Sequence, residues 1–198
     1  MLLPRSLLLS AATLALGFTP ALSTAADTYI IDASHSAVGF TVRHFFSKVP
    51  GKFNKFEGRI TFDHAKPEAS SVESTIQIAS IDTENQKRDD HLRSPDFFDA
   101  AKFPTMTFKS TSWKKTGENT YDVIGLLTLK GVSKEVVLKV TALGFGPGMQ
   151  GMQLSGWEAT TTIDKKDFNM PDPALLDAAL GDDVTITIHI EAGMKKKA

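Results

Sequence analysis

Hydrophobic and polar residues alternate along most of this chain. In residues 38–42, 56–62 and 184–190, every second residue is apolar or glycine and the residues between them are polar or small. A repeat of two residues is typical of a β-strand with one buried face. The same repeat recurs further along the chain, at residues 72–78, 106–110, 123–129, 136–142 and 157–163. With a short strand at residues 28–32, the pattern predicts about eight or nine antiparallel strands.

Short turn sequences separate these predicted strands. A Pro-Gly turn at residues 50–51 precedes the strand at 56–62, and Lys-Gly-Val-Ser at 130–133 forms a second turn. A third turn is the glycine-rich segment 144–151. Each is short enough for a hairpin. Because closing a sheet removes its exposed edges, we predict an all-β fold, an antiparallel β-barrel of about eight strands with a short helical insertion.

The helical insertion is predicted at residues 81–103, which do not alternate. A charged run at 84–93 is followed there by an aromatic pair at 97–98. The hydroxyl of Thr83 can cap the start of a helix, and the proline after Ser94 disfavours helical backbone at that serine. We therefore expect a helix of about two to three turns, followed by an aromatic plug.

The first 26 residues form a segment of a different kind. Arg5 is followed by an apolar run at 7–18 without any charge, and then by small residues at 21–26. This order is typical of a cleaved secretory signal peptide, and the apolar run is shorter than the ~20 residues that span a bilayer. We therefore expect one mature domain at residues 27–198, located in the periplasm and without a transmembrane segment.

The composition excludes several classes of function. The chain has no cysteine, which excludes a disulfide framework and thiolate metal sites. Its 22 basic and 23 acidic residues nearly cancel, so nothing in the charge favours binding to nucleic acid. Nucleophile-elbow, zinc-protease and phosphate-loop motifs do not occur in the sequence. We expect neither a cofactor nor a metal.

Several longer stretches resemble the YceI family, and together they cover essentially the whole predicted mature domain. The most specific is the central IDTENQKRDDHLRSPDFFDAAKFPTMTF, with its R-D-x-H-L and D-F-F-D motifs. The others are YIIDASHSAVGFTVRHFF, ITFD, GLLTLKGVSKEVVL and DDVTITIHIEA. The resemblance implies a lipocalin-like barrel, often a homodimer, that binds polyisoprenoids or related long-chain amphiphilic lipids in its interior.

One motif departs from the family pattern. Where the family usually has D-F-G, this chain has Asp167-Phe168-Asn169. Asparagine tolerates a left-handed backbone conformation better than most residues other than glycine. We therefore expect the turn at Asn169 to be retained.

The interior of the predicted barrel is the candidate binding site. A barrel of about eight strands holds either packed side chains or one small ligand. The inward positions here include small residues such as Gly58, Gly125 and Ala159, which favour a cavity. The predicted ligand contacts are the large apolar side chains of the interior and the insertion: Phe40, Val42, Phe62, Ile76, Ile78, Phe97, Phe98, Phe108, Leu127, Leu129, Leu138, Trp157, Ile186 and Ile188.

The charged run of the insertion is the predicted barrel mouth. Arg88, Asp89 and His91 either contact a polar head group or form a salt-bridged clasp that holds the insertion to the rim. A carboxylate and an imidazole are also the parts of a general base, so a lipid-acting hydrolase that uses Asp89 and His91 is an alternative. A ligand-free structural or interaction protein is another. The function that we expect is a periplasmic lipid carrier or sequestering protein.

Overall fold

A computed structural model describes residues 26–170, 172–173, 176 and 179–195. Apart from Ala26, the predicted signal peptide at residues 1–26 lies outside the described residues, so its removal stays a prediction. None of the helices in the described ranges is long and apolar enough to cross a bilayer.

The strands of the described residues form a single antiparallel sheet. Its strands are β1 (Asp27–Ile31), β2 (Ala37–His44), β3 (Ser47–Phe53), β4 (Phe56–Phe62), β5 (Ser71–Gln77), β6 (Ile81–Asp82), β7 (Thr105–Lys115), β8 (Thr120–Leu129), β9 (Val132–Pro147), β10 (Met152–Asp164) and β11 (Leu180–Lys195). β1 pairs with both β4 and β11, which closes β1, β4, β5 and β7 to β11 into an eight-stranded barrel. The predicted fold class is confirmed.

The longest of these pairings joins β10 and β11, and β11 contacts two further strands. It pairs with β10 from Asp183 to Lys195, with β1 near its end and with β2 near its start. β3 then pairs with β2, and the two-residue β6 pairs with β3. The hairpin of β2 and β3 therefore extends the barrel wall beyond the point at which β1 ends.

The predicted turn at residues 50–51 is wrong, because these residues lie inside β3. Pro50 is opposite Thr41 and Gly51 is opposite Phe40 of β2. Proline is tolerated on an edge strand, and β3 has a second partner only at Lys52 and Phe53. The ring of Phe40 occupies the place where a Cβ of residue 51 would lie, so glycine allows the ring to cover the strand.

The other two predicted turns are shorter than expected. Lys130 and Gly131 have φ of 49° and 76°, as a two-residue type I′ hairpin requires, and β9 begins at the next residue. At its other end β9 continues to Pro147, so only residues 148–151 connect it to β10.

The inserted helix is α1 (Gln86–Arg93), and its cap differs from the prediction. The side chain of Asn85, not that of Thr83, accepts a hydrogen bond from the backbone N–H of Arg88 at the start of α1. The Thr83 hydroxyl donates to Asp89 and accepts from the Arg88 guanidinium instead of from the backbone at the start of α1. Ser94 ends the helix as predicted. A further difference is that residues 81–82 form β6.

The two ends of the barrel differ in their side chains. We call the first the aromatic end, defined by the mutually packed rings of Phe62, Trp113, Tyr121, Phe145 and Trp157. The second is the α1 end, which carries α1, the turn between β8 and β9, and a 3-10 helix at Lys165–Phe168. The Lys130 ammonium donates to the Pro95 carbonyl over 3.2 Å and so ties that turn to the segment after α1.

Candidate ligand-binding cavity

The barrel encloses a cavity of about 380 Å³ between these two ends. This volume lies within the range of roughly 300–1,000 Å³ that is usual for ligand pockets. The inward residues of the strands form its wall, as Ile186, Ile188 and Ile190 do on β11. The predicted period of two therefore separates the cavity wall from the outer surface of the barrel.

Most of the predicted ligand contacts line this cavity. They are Phe40, Val42, Ile76, Phe97, Phe98, Phe108, Leu127, Leu129, Leu138, Trp157, Ile186 and Ile188. The strands of the wall and the segment after α1 bring these side chains around one space. Their contact with a ligand stays a prediction.

Two of the predicted contacts, Phe62 and Ile78, are buried away from the cavity lining. Phe62 is the last residue of β4, and its ring packs among those of the aromatic end. Ile78 follows β5 in a short 3-10 helix and is only 1% exposed. Both residues contribute to the core but do not extend the cavity wall.

Glycine contributes less to the cavity than the sequence predicted. A Cβ at Gly125 would lie 2.5 Å from the ring of Phe108, so that ring already fills the space. A Cβ at Gly58 would meet the Glu73 carbonyl and the Ile31 side chain. Of the small positions named above, Ala159 lies on the lining.

Trp113 is a lining residue that the sequence analysis missed. The pairing of β7 with β8 shifts between Ser110 and Ser112, which is a β-bulge. A bulge adds one residue to a strand and reverses which of the later residues face inward. The sequence did contain a signal for this change: Trp113 is apolar, but it does not fall on the every-second-residue pattern that Met106 and Phe108 follow.

At the α1 end, two charged side chains bind the same threonine. The Asp89 carboxylate accepts from the backbone N–H of Thr83 over 2.9 Å and from its hydroxyl over 2.6 Å. The Arg88 guanidinium donates to the Thr83 hydroxyl and carbonyl oxygens, both over 2.7 Å. We call these three residues the Thr83 cluster. Asp89 and Thr83 are both buried, and Thr83 and Arg88 both lie on the cavity lining.

His91 lies on the same lining but has other partners. Its Nε2 is 3.0 Å from the Asp96 carboxylate, and its ring packs edge-on against Phe97. In the described structure, Asp89 and His91 are therefore not assembled as a general-base pair. The predicted salt-bridged clasp among Arg88, Asp89 and His91 is likewise replaced by hydrogen bonds that centre on Thr83.

Arg93 provides an attachment of α1 that the sequence did not single out. Its guanidinium donates to the carbonyl oxygens of Ala79 and Ile81 over 3.0 and 2.8 Å. It also pairs with Asp90 over 3.0 Å. These contacts fix the end of α1 to the chain that precedes it.

A buried lysine lies on the cavity lining next to the end of β10. The Lys165 ammonium contacts the Asp172 carboxylate over 2.9 Å, and the Asp182 carboxylate and Gly181 carbonyl over 3.0 Å each. The side chains of Lys165 and Asp172 are 6% and 1% exposed. A buried charge of this kind requires close partners, because leaving one unpaired is costly.

The altered D-F-N motif closes the 3-10 helix that begins at Lys165. Asn169 has φ of 56° and ψ of 38°, a left-handed conformation, and its N–H donates to the carbonyl oxygens of Lys165 and Lys166. The expected tolerance of asparagine at this turn is confirmed. Phe168 beside it is 1% exposed, so the turn anchors the segment in the core.

Two side chains of the turn between β1 and β2 lie beside one of β11, and all three are of types that can bind a metal. The ligand atoms of Asp32, His35 and Glu191 lie within 4.8 Å of one another. His35 Nδ1 is 2.8 Å from Asp32. Hydrogen bonds from the Ser34 hydroxyl and then from His35 lower the pKa of Asp32 to about 2, and the bond to Asp32 raises the pKa of His35. These contacts are those of a hydrogen-bonded turn.

The chain has close relatives among bacterial proteins of one family. The model of the YceI-like domain matches residues 29–192. A UPF0312 protein from Pseudomonas syringae pv. tomato is 40% identical over 195 residues, which is 95% of this chain and 98% of that protein. One from Ectopseudomonas mendocina is 46% identical over 149 residues, or 74% of this chain and 78% of that protein.

Solved structures show the same architecture. Burkholderia cenocepacia BcnA is 29% identical, with a TM-score of 0.73, over 82% of this chain and 99% of that one. The Campylobacter jejuni YCEI protein is 36% identical, with a TM-score of 0.68, over 76% and 88%. A polyisoprenoid binding domain from Saccharophagus degradans shares the fold, with 16% identity and a TM-score of 0.63 over 83% and 97%. From the sequence match and these structures, the chain belongs to the YceI-like family.

Proposed function

We propose that this protein binds a polyisoprenoid or a similar long-chain amphiphile inside its barrel. The observation that carries the proposal is the distribution of polarity along the cavity. Trp113, Val123 and Trp157 line it towards the aromatic end, whereas the charged lining residues Arg88 and Lys165 lie at the α1 end. An apolar tail fits the first region and a polar end group fits the second.

The family and its structural relatives support a binding protein rather than an enzyme. The Saccharophagus degradans domain, which shares the barrel, is described as binding polyisoprenoids. The hydrogen bonds of Asp89 to Thr83 agree with a binding role, since they leave that carboxylate committed to the fold.

We further propose that the protein is a periplasmic carrier rather than a store. Transfer of an apolar tail from water into the cavity would be favourable by about 0.8 kcal/mol per buried methylene. Such lipids start in a bilayer, whose interior is as apolar as the cavity, so this term nearly cancels. The free energy of exchange with a membrane should then be close to zero. Selectivity between different lipids should depend on the polar residues at the α1 end.

The compartment and the oligomeric state stay predictions. The charge-free apolar run in residues 7–18 supports export to the periplasm. An intact first residue on protein recovered from the periplasm would contradict the expected removal of residues 1–26. The homodimer rests on the family resemblance alone, and sedimentation velocity of the purified protein would test it.

A transfer experiment tests the carrier proposal. The protein is loaded with a fluorescent prenyl lipid and mixed with an excess of empty phospholipid vesicles. We expect the fluorescence to move to the vesicles on a timescale of minutes or less, and to return when loaded vesicles are mixed with empty protein. Retention of the lipid by the protein at vesicle excess would replace transport with sequestration.

A further inference from the structure

The turn between β2 and β3 exposes two adjacent phenylalanines. Phe46 is fully exposed, and Phe45 is 52% exposed. We call this pair the aromatic tip. Large aromatic side chains are normally buried, because their burial is strongly favourable. One fully exposed and one half-exposed phenylalanine at the end of a hairpin therefore indicate a surface that another apolar phase covers.

The backbone of the aromatic tip is also unfavourable for a bulky residue at Phe45. Phe45 has φ of 49°, a left-handed conformation that bulky residues rarely adopt. His44 pairs with Ser47, so Phe45 holds the first position of a two-residue turn, where glycine, asparagine or aspartate is usual. Folding alone would favour glycine at this position. The Phe45 ring is therefore not placed here for the stability of the turn.

The aromatic tip lies next to the α1 end of the cavity. Val42, His44 and Val49 of the same hairpin line the cavity. The Phe45 N–H donates to the Ala179 carbonyl over 2.7 Å, and the next residue, Leu180, lines the cavity as well. Whatever contacts the tip is therefore brought close to the polar residues of that end.

Basic side chains flank the aromatic tip. Arg43 and Lys48 are paired across the hairpin, one position behind His44 and Ser47. The Arg43 guanidinium donates to the Phe45 carbonyl over 3.2 Å and so braces the turn. Aspartates 164, 182 and 183 line the groove beside these two cations on the outer wall, behind the tip. Because these aspartates offset the two cations, the exposed aromatic rings are the feature that suits the interface of a phospholipid bilayer.

We propose that Phe45 and Phe46 insert into the interfacial region of a phospholipid bilayer and so hold the α1 end of the cavity against the membrane. A second copy of the chain fits the tip less well, since a stable protein interface buries about 800 Å² per partner and two side chains on a convex turn cannot supply it. A bilayer deforms around such a tip. Docking would place the cavity next to the membrane with which it is proposed to exchange lipid, so this inference rests on the proposed function.

Vesicle flotation of the full chain tests the docking, with mixed vesicles of phosphatidylethanolamine and phosphatidylglycerol. We expect Phe46→Ser to bind about tenfold more weakly than the unchanged protein, because loss of one inserted ring removes a large part of the apolar contact. Phe45→Gly should also bind more weakly while its melting temperature stays the same or rises, since glycine suits the positive φ. This second variant separates lost docking from lost folding.

Met149→Ser is the matched control. Met149 is 86% exposed, but it lies in the connection from β9 to β10, beyond the far end of β11. Its replacement should leave flotation unchanged. Unchanged binding of Phe46→Ser, or an equal loss in Met149→Ser, would overturn the proposal. A drop in sedimentation coefficient for Phe46→Ser without vesicles would overturn it in favour of a second copy.

The lipid content of the same samples keeps this proposal separate from the proposed function. Organic extraction of the purified protein reports the occupant of the cavity, whereas flotation reports the tip. If Phe46→Ser no longer floats with the vesicles but keeps its extractable lipid, the result supports docking by the tip. If Phe46→Ser no longer floats and no lipid can be extracted from any variant or from the unchanged protein, docking is still supported, but the proposed lipid-binding function is contradicted.

Discussion

The two ends of the barrel are held by different kinds of interaction. At the aromatic end, the Phe62 ring packs against Phe145 and Trp157 with centroids 5.1 and 5.2 Å apart. At the α1 end, hydrogen bonds and ion pairs of Asp89 and Lys165 hold the segments around the cavity. Apolar packing is cooperative and does not depend on the alignment of single atoms, whereas directional polar contacts break and re-form locally. We therefore expect the aromatic end to stay closed and the α1 end to admit the ligand.

The largest effect should come from breaking the aromatic end. Phe62→Ala removes a 3% exposed ring from the centre of that cluster and should lower the free energy of unfolding by about 3–5 kcal/mol. Urea denaturation measures the loss. Phe46→Ala removes the same ring from an exposed position and should change stability little. Equal effects of the two substitutions would show that the aromatic end is not a packed plug.

A smaller loss is expected from the buried ion pair of the α1 end. Lys165→Met leaves the buried Asp172 carboxylate without its cation and should cost about 3 kcal/mol. Lys166→Met is the neighbouring control, since Lys166 pairs with Asp182 at a 45% exposed position and such pairs are worth about 0–1 kcal/mol. If the α1 end is held mainly by apolar contacts, the two substitutions should lower the free energy of unfolding by the same small amount.

The Thr83 cluster should contribute less to the free energy of unfolding than the Lys165 ion pair does. Asp89→Ala leaves the buried N–H and hydroxyl of Thr83 without their acceptor, which should cost about 1–3 kcal/mol. Affinity for a prenyl lipid, measured on the folded fraction, should change little. A large loss of affinity with unchanged melting would instead assign Asp89 to a polar head group.

The smallest effect is expected at the turn between β1 and β2, which belongs to neither end of the barrel. NMR titration should give His35 a pKa above 6.5, and Asp32→Asn should return it towards that value, because the bond to Asp32 raises it. The raised pKa of His35 means that its contribution to stability is present below pH 6.5 and is lost as the pH rises through the raised value. The contribution of Asp32 is present above its usual pKa of 3.8 and is lost as the pH falls towards 2. A His35 titration that is the same in both proteins would contradict the hydrogen bond.

The sequence predicted the wall of the barrel better than its ends. A period of two depends only on which face of a strand is buried, so it identified the lining of β8 to β11 from the chain alone. The bulge that turns Trp113 inward is a change in strand pairing, which the local pattern signals only weakly. Pro50 and Gly51 resembled a turn because their strand is an edge that needs few backbone donors.

Pairings between individual polar side chains were the least predictable feature. Thr83 is a good helix cap by type, but the folded chain uses it as a partner for Asp89, and Asn85 takes the cap. Lys165 gave no signal at all, because its partners Asp172 and Asp182 are 7 and 17 residues further along the chain and no local pattern pairs them with it. Tertiary structure decides such pairings, and a single sequence does not record them.

Native mass spectrometry of a matched pair of variants tests the central claim, that the cavity holds a lipid. Ala159→Phe fills the space from the lining, whereas Thr160→Phe adds the same ring to an exposed position on the same strand. Both proteins are purified from the same expressing cells and first checked for unchanged cooperative unfolding. We predict a bound lipid on the unchanged protein and on Thr160→Phe, and its loss from Ala159→Phe. The same bound mass on both variants, or none on the unchanged protein, would contradict a ligand in the cavity.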